Sequence, residues 1–222
     1  METSANQTTA ELTAAREHRT DSIGPEQLAV VDQATRELIA SGIKASVLKE
    51  GDHVDDFVLN DANGKPLRLK SLLAHGPVVI SFYRGGWCPY CNIELRGLQR
   101  VMEQIAALGA SLVAISPELP DNSLSTIEKN DLTFPVLSDI GNVIGRQFGI
   151  VYRISEKMLG LFERSNLDLA KVNGSRAAAD LPMPGTFVLD KSGVIRLAFV
   201  DEDYTKRLDP DDVLNALRRL SR

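Results

Sequence analysis

The only two cysteines of the chain, Cys88 and Cys91, stand three positions apart at a junction of three patterns. The stretch reads Ser81-Phe82-Tyr83-Arg84-Gly85-Gly86-Trp87-Cys88-Pro89-Tyr90-Cys91. Upstream, Val78 to Tyr83 lacks polar alternation, as a central strand covered on both faces would. Gly85-Gly86 supplies a tight loop. Downstream, Leu95, Leu98, Val101, Met102, Ile105 and Leu108 recur at three- and four-residue steps, which predicts a helix running to Leu108 and stopped by Gly109. Pro89 suits the first helical position. Cys88 is therefore expected at a helix N-terminus, directly after a buried strand.

That position has a chemical consequence. A thiol reacts as its thiolate, and an ordinary cysteine, with a pKa near ~8.5, is only a few per cent ionised at neutral pH. The free N–H groups and positive pole of a helix start favour the anion. Arg84 adds positive charge in a direction the sequence leaves open. Cys91, on the same helical face as Leu95 and Leu98, is expected to be the more buried thiol and is spaced to close a disulfide on Cys88. The division of labour that follows is attack by Cys88 and resolution by Cys91.

Composition narrows the setting. A hydrophobic fraction of 43% and a charged fraction of 25% are those of a globular protein. The net charge of −5 without a long basic run argues against a nucleic-acid partner. No apolar run approaches the roughly 20 residues of a membrane span, and Met1 to Thr20 has no secretory pattern. A thiol pair without a signal fits a reducing, cytoplasmic compartment. Two cysteines are too few for an ordinary zinc site, and His18, His53 and His75 form no ligand pattern.

The remaining chain is read as follows. Residues 1–24 make a flexible arm or a marginal helix, with Leu12 nearly their only large apolar residue. Glu26 to Ala40 is a helix that either caps the main domain or meets a second subunit. The main domain begins near Gly51. Phe57-Val58-Leu59 and Leu67–Leu69 form a hairpin across Asp61-Ala62-Asn63-Gly64. Ser111–Ser116 is a second buried strand, parallel to the first through the crossover helix. Asp121 is expected to cap a short helix, Phe134–Leu137 to be an edge-like strand, and Val143 to Phe148 to be helical. Residues 152–181 form an insertion or lid, with a helix at Glu156–Glu163, a turn at Asn173-Gly174 and an ambiguous run Ala177-Ala178-Ala179. Thr186–Leu189 and Val194–Val200 make an antiparallel hairpin. Asp209-Pro210 opens the last helix. The expected organisation is an N-terminal helical extension over residues 1–50 and one α/β domain over 51–222.

Trp87-Cys88-Pro89-Tyr90-Cys91 resembles the active-site box of thioredoxin-fold proteins. The surrounding chain is similar to the peroxiredoxins, the alkyl hydroperoxide reductase and thiol-specific antioxidant family. That similarity is carried by Gly51-Asp52 with Asp55-Asp56-Phe57, Ala114-Ile115-Ser116-Pro117, Phe134–Asp139, Phe148-Gly149 and Pro184–Asp190 with Gly193-Val194-Ile195. The resemblance implies a thioredoxin-like α/β fold, a central mixed β-sheet flanked by helices. It implies a peroxidase that reduces hydrogen peroxide or organic hydroperoxides, without metal, haem or flavin, and that a thioredoxin-like dithiol recycles. Cys88 matches the peroxidatic cysteine, whose sulfenic acid condenses with a second thiol, here Cys91. Pro184 matches the cis-proline facing the active cysteine, the alternative being a trans turn proline. Arg207 resembles the late arginine set against the thiolate, the alternative being a surface charge. Trp87, Tyr83 and Pro184 are the candidate substrate-contacting residues. A homodimer is implied by resemblance alone.

One departure stands out. Where the family carries Pro and Thr or Ser, seven and three residues before the peroxidatic cysteine, this chain has Ser81 and Gly85. Tyr83 and Ser81 are the hydroxyls that could replace the missing one. Disulfide exchange with another protein, or redox sensing without turnover, are the competing functions.

Overall fold

The computed structural model describes residues 4–174 and 179–221. Helices α1 (Ser4–Ser22) and α2 (Pro25–Ala40) come first, then a 3-10 turn at Ile43–Ser46. The hairpin β1 (Val58–Asp61) and β2 (Pro66–Arg68) leads through α3 (Leu69–Leu73) to β3 (Val78–Phe82). After α4 (Pro89–Arg100) and α5 (Met102–Ala107) come β4 (Ser111–Ser116), α6 (Pro120–Asn130), β5 (Val136–Ser138) and α7 (Val143–Gln147). Then follow β6 (Val151–Arg153), α8 (Glu156–Arg164), α9 (Leu169–Asn173) and β7 (Asp180–Pro182). The hairpin β8 (Gly185–Leu189) and β9 (Ile195–Val200) and helix α10 (Pro210–Leu220) complete the fold.

Seven strands form one mixed sheet in the order β2-β1-β5-β4-β3-β8-β9, and β6 and β7 form a separate antiparallel pair. β3 is parallel to β4, β4 to β5, and the outer pairings are antiparallel. Every residue of β3 is buried, as its unbroken apolar run requires. Strand alternation then divides the core. Val79 and Tyr83 face α4, α10 and Leu12 of α1, whereas Val78, Ile80 and Phe82 face Phe148, Ile150 and Phe187 on the other side.

Three sequence expectations need correction, and one left open is decided: of the arm and the helix, residues 4–22 are a helix, and it is docked. Thr8 and Leu12, four positions apart, are buried against α4, where a Cβ added to Gly97 would come within 2.7 Å of the Thr8 hydroxyl. This close approach, with Tyr90 donating to the Ala15 carbonyl at 3.1 Å and Arg100 pairing with Glu11, stands in for the apolar stripe that α1 lacks. The crossover helix breaks at fully buried Val101, whose φ of −106° and ψ of 7° lie outside helical values and whose N–H bonds to Leu98 in a tightened turn. β5 lies inside the sheet, because β1 adds antiparallel on its outer side. The cap of α6 is Leu119, with Pro120 at its first position, so Asp121 falls inside the first turn.

The insertion helix α8 is capped by Ser155, whose hydroxyl accepts from Met158 N–H. Val31 of α2 packs with Met158, Leu161 and Leu181 in a third cluster, so α2 covers this face of its own chain. Of the alanine run, Ala177 and Ala178 lie outside the described residues, while Ala179 is buried.

Candidate active site

Cys88 is the N-cap of α4, with extended backbone (φ −88°, ψ 115°), and Pro89 takes the first helical position. The loop before it is built for glycine. Gly85 has a φ of 150°, and a Cβ there would lie 2.3 Å from Trp87 Nε1 and 2.8 Å from Glu118 Oε1. A threonine or serine at this position would collide with the indole and the carboxylate that fill its space. Glu118 also accepts from Gly86 N–H at 2.9 Å and so ties the loop to the end of β4. Burial raises the Glu118 carboxyl to about 7, against the pull of that N–H.

Both cysteines are reduced and buried, Cys88 at 1% exposure. Burial alone would raise the Cys88 thiol. The hydrogen bond from the Cys91 thiol, the charges of Arg84 and Arg207, and the Cys91 N–H outweigh it and bring Cys88 to about 6. The thiolate is therefore the favoured form at pH 7. Cys91 is pushed well above the ordinary thiol range by burial and by donating to Cys88, against the charge of Arg207. The two sulfurs thus differ in protonation, Cys88 drawn toward the thiolate and Cys91 held as the thiol.

The structure gives the two arginines different tasks. Arg84 is buried and stacked, its guanidinium carbon 4.4 Å from the Tyr204 ring centre, 4.8 Å from Trp87 and 5.8 Å from Phe162. Among the described residues no carboxylate pairs with it, so its charge is available to Cys88. Arg207 does reach the site, but against the other sulfur: its Nη2 donates to Cys91 Sγ at 3.5 Å. Its Nε lies 2.7 Å from Glu94 Oε2, and both side chains are almost fully buried. Arg207 also donates to the carbonyls of Tyr204 and Lys206, which fix the loop before α10.

The other candidates separate. Trp87 lines a groove of about 610 Å³ whose wall also includes Cys88. Its ring packs against Phe162 of α8 at 5.3 Å. Tyr83 lies on the far side of the loop, its phenol beside Glu118, Ser116, Thr126 and Ser123. Ser81 pairs in register with Thr186 under α4. Neither hydroxyl lines the groove. Pro184 is corrected: no peptide bond among the described residues is cis. It continues the extended chain from β7, where Met183 N–H bonds to the Ile150 carbonyl at 2.7 Å, and it lies outside the groove.

The sequence model of the AhpC/TSA family matches residues 51–198, two-thirds of the chain. The chain belongs to the AhpC/TSA family. The peroxiredoxin Rv1608c of Mycobacterium tuberculosis is 34% identical over 112 residues, which are 50% of this chain and 73% of that protein. The chloroplastic peroxiredoxin Q of Sedum lineare is 27% identical over 180 residues, 81% of this chain and 83% of the relative. Among solved structures, the peroxidoxin BcpB of M. tuberculosis superposes with a TM-score of 0.61 at 26% identity, over 78% of this chain and 98% of that one. A cysteine-to-serine mutant of Xylella fastidiosa PrxQ, at 16% identity and a TM-score of 0.62 over 80% of this chain and 99% of its own, shares the fold. The peroxiredoxin-like, thioredoxin-fold reading of the sequence is therefore upheld. α1, α2 and Arg207 lie outside the matched residues.

Arg84→Met tests the electrostatics of this AhpC/TSA site. Loss of the unpaired cation is expected to raise the Cys88 midpoint from about 6 toward the free-thiol range. Thiolate absorbance against pH reads the shift directly. Reaction with peroxide near pH 6.5 should slow by about tenfold, following the lost thiolate. An unchanged midpoint would show that Arg84 does not hold Cys88 ionised.

Proposed function

We propose that this AhpC/TSA protein is a thiol-dependent peroxidase in which Cys88 reduces a hydroperoxide and Cys91 resolves the product. The observation that carries this reading is Cys88 at the N-cap of α4, next to Cys91 and lining a groove sized for a small molecule. The Cys88 sulfur attacks the terminal peroxide oxygen. The O–O bond breaks, Cys88 becomes a sulfenic acid, and the alkoxide or hydroxide leaves and takes a proton from solvent. Cys91 then attacks the Cys88 sulfur, and water leaves as the disulfide forms. A thioredoxin-like dithiol in the cytoplasm returns both thiols to the reduced state.

Hydrogen peroxide and organic hydroperoxides both fit. The groove favours the latter, because Ile23, Val31, Met158, Leu161, Phe162 and Leu167 line it with apolar surface. The competing function is direct exchange with another protein's disulfide. A steady-state assay with peroxide and excess thioredoxin separates the two functions. Catalytic peroxide consumption much faster than reduction of a protein disulfide is the expected result, and the reverse ranking would contradict the proposal.

A further inference from the structure

Peroxide reduction by Cys88 leaves one buried acid without a task. Glu94 stands on α4 three residues after Cys91, one turn along the same face. It is 3% exposed, and its position between Ile93 and Leu95 puts a carboxyl inside the core. Thr186 of β8 donates to its Oε1 at 3.1 Å. Its Oε2 has the Arg207 guanidinium 2.7 Å away, but no donor is aligned on it for a hydrogen bond. The same guanidinium donates to Cys91 Sγ at 3.5 Å. One buried cation therefore faces two groups that can each carry a negative charge.

Burial makes the double anion costly. A carboxylate and a thiolate around a single guanidinium would leave one uncompensated charge in the core. With Glu94 ionised, Arg207 is neutralised and Cys91 keeps its proton. With Glu94 protonated, the cation is free for a Cys91 thiolate. The carboxyl is raised to about 7 by burial, so both forms are within reach at neutral pH.

We propose that Glu94 and Cys91 compete for the charge of Arg207, so that Glu94 is the positioning residue that keeps Cys91 a thiol at rest and, by taking up a proton, frees Arg207 to hold the Cys91 thiolate when it attacks. The part played in resolution rests on the peroxidase reading above. As Cys91 releases a proton and Glu94 takes one up, the Cys91 thiolate, held by Arg207, displaces hydroxide from the Cys88 sulfenic acid as the S–O bond breaks. The hydroxide takes the proton back from Glu94 as water. In reduction the thiolate of the reducing dithiol attacks Cys88, the Cys91 thiolate leaves the disulfide, and the proton that the dithiol released re-forms the Cys91 thiol, with Glu94 again ionised against Arg207. The ionisable groups facing this pair are Cys88 and Arg84 before or at the start of α4, Glu118 after β4, and Arg207 before α10. Substitutions at Glu94 leave all four in place.

The test needs no peroxide. In the full chain carrying Cys88→Ser, thiolate absorbance follows Cys91 alone. Adding Glu94→Gln is expected to increase the Cys91 ionisation constant at least tenfold, whereas Glu94→Asp keeps it near that of the Cys88→Ser parent. Thr186→Val, nearly isosteric, weakens the ionised carboxylate and should shift Cys91 the same way by a smaller factor, should Glu94→Gln fail to fold. In the chain with both cysteines, the rate of disulfide formation after one equivalent of hydrogen peroxide should lose its inflection near neutral pH in Glu94→Gln. A Cys91 midpoint unmoved by both Gln and Val, or shifted equally by Asp and Gln, would overturn the proposal. Slow oxidation of Cys88 in the unmodified protein would instead count against the peroxidase reading and leave the Cys91 titration as a separate result.

Discussion

Cys88→Ser is expected to lower peroxide consumption by at least about a thousandfold, to the level of the uncatalysed reaction with reductant. The size follows from the chemistry of the N-cap. At this position the field of the site converts a thiol into an anion with a midpoint of about 6. A hydroxyl in the same field stays protonated at any pH at which the protein is folded. Shape changes little, since oxygen replaces sulfur at a buried helix start, so the fold should survive. A coupled assay with thioredoxin measures the loss, and substantial residual turnover would mean that another group attacks the peroxide. The same pKa fixes the pH dependence of the first step in the unmodified chain. Because the anion is the reactive form, the rate should rise through pH about 6 and level off near neutrality.

The second large effect is one of stoichiometry. Cys91→Ser should consume one equivalent of peroxide and then stop, with Cys88 held as sulfenic acid and oxidised further by excess peroxide. Steady-state turnover with thioredoxin should fall by at least about a hundredfold, because no other cysteine exists in the chain to close a disulfide. The first step should slow as well. Cys91 donates its thiol proton toward Cys88, and a serine hydroxyl, held on a shorter bond from Cβ, reaches less far and gives a weaker contact. Mass spectrometry of the product, with and without a dimedone trap, distinguishes these species. Sustained multiple turnover by this variant would assign resolution to the external thiol.

How much of this was readable beforehand depends on what each feature rests on. β3, β4 and the helix between them declare themselves by periodicity, because each is apolar for local reasons: two covered faces for the strands, one stripe for the helix. The hairpin at β8 and β9 declares itself by turn residues, with Gly193 at a φ of 82°. α1 does not, since among its described side chains only Thr8 and Leu12 are buried and its docking depends on the absent side chain of Gly97, far along the chain. β5 reads as an edge because its short run cannot reveal that β1 will add beyond it. The cysteine pair was legible from spacing and from the strand before it. Which sulfur Arg207 would meet was not, because that depends on how the loop before α10 is folded by contacts to Tyr204 and Lys206. Arg84 was visible as a charge without a direction, and the stack on Tyr204 and Trp87 supplies it. Glu94 does not stand out by motif, although an acid between Ile93 and Leu95 on a helix otherwise buried on that face is itself a signal.

The most direct test is a single turnover. Fully reduced protein is mixed with one equivalent of hydrogen peroxide, and then separately with cumene hydroperoxide, while Trp87 fluorescence is followed and quenched samples are weighed by mass spectrometry. Trp87 is the only tryptophan and adjoins Cys88, so the signal reports the reacting sulfur. A fast first phase is expected, then a second phase that ends in a Cys88–Cys91 disulfide with both thiols lost, and the first phase should be faster for the apolar hydroperoxide. Oxidation no faster than that of a free thiol at the same ionisation would contradict the peroxidase mechanism, and would show that nothing else in the site replaces the threonine whose space Trp87 and Glu118 occupy.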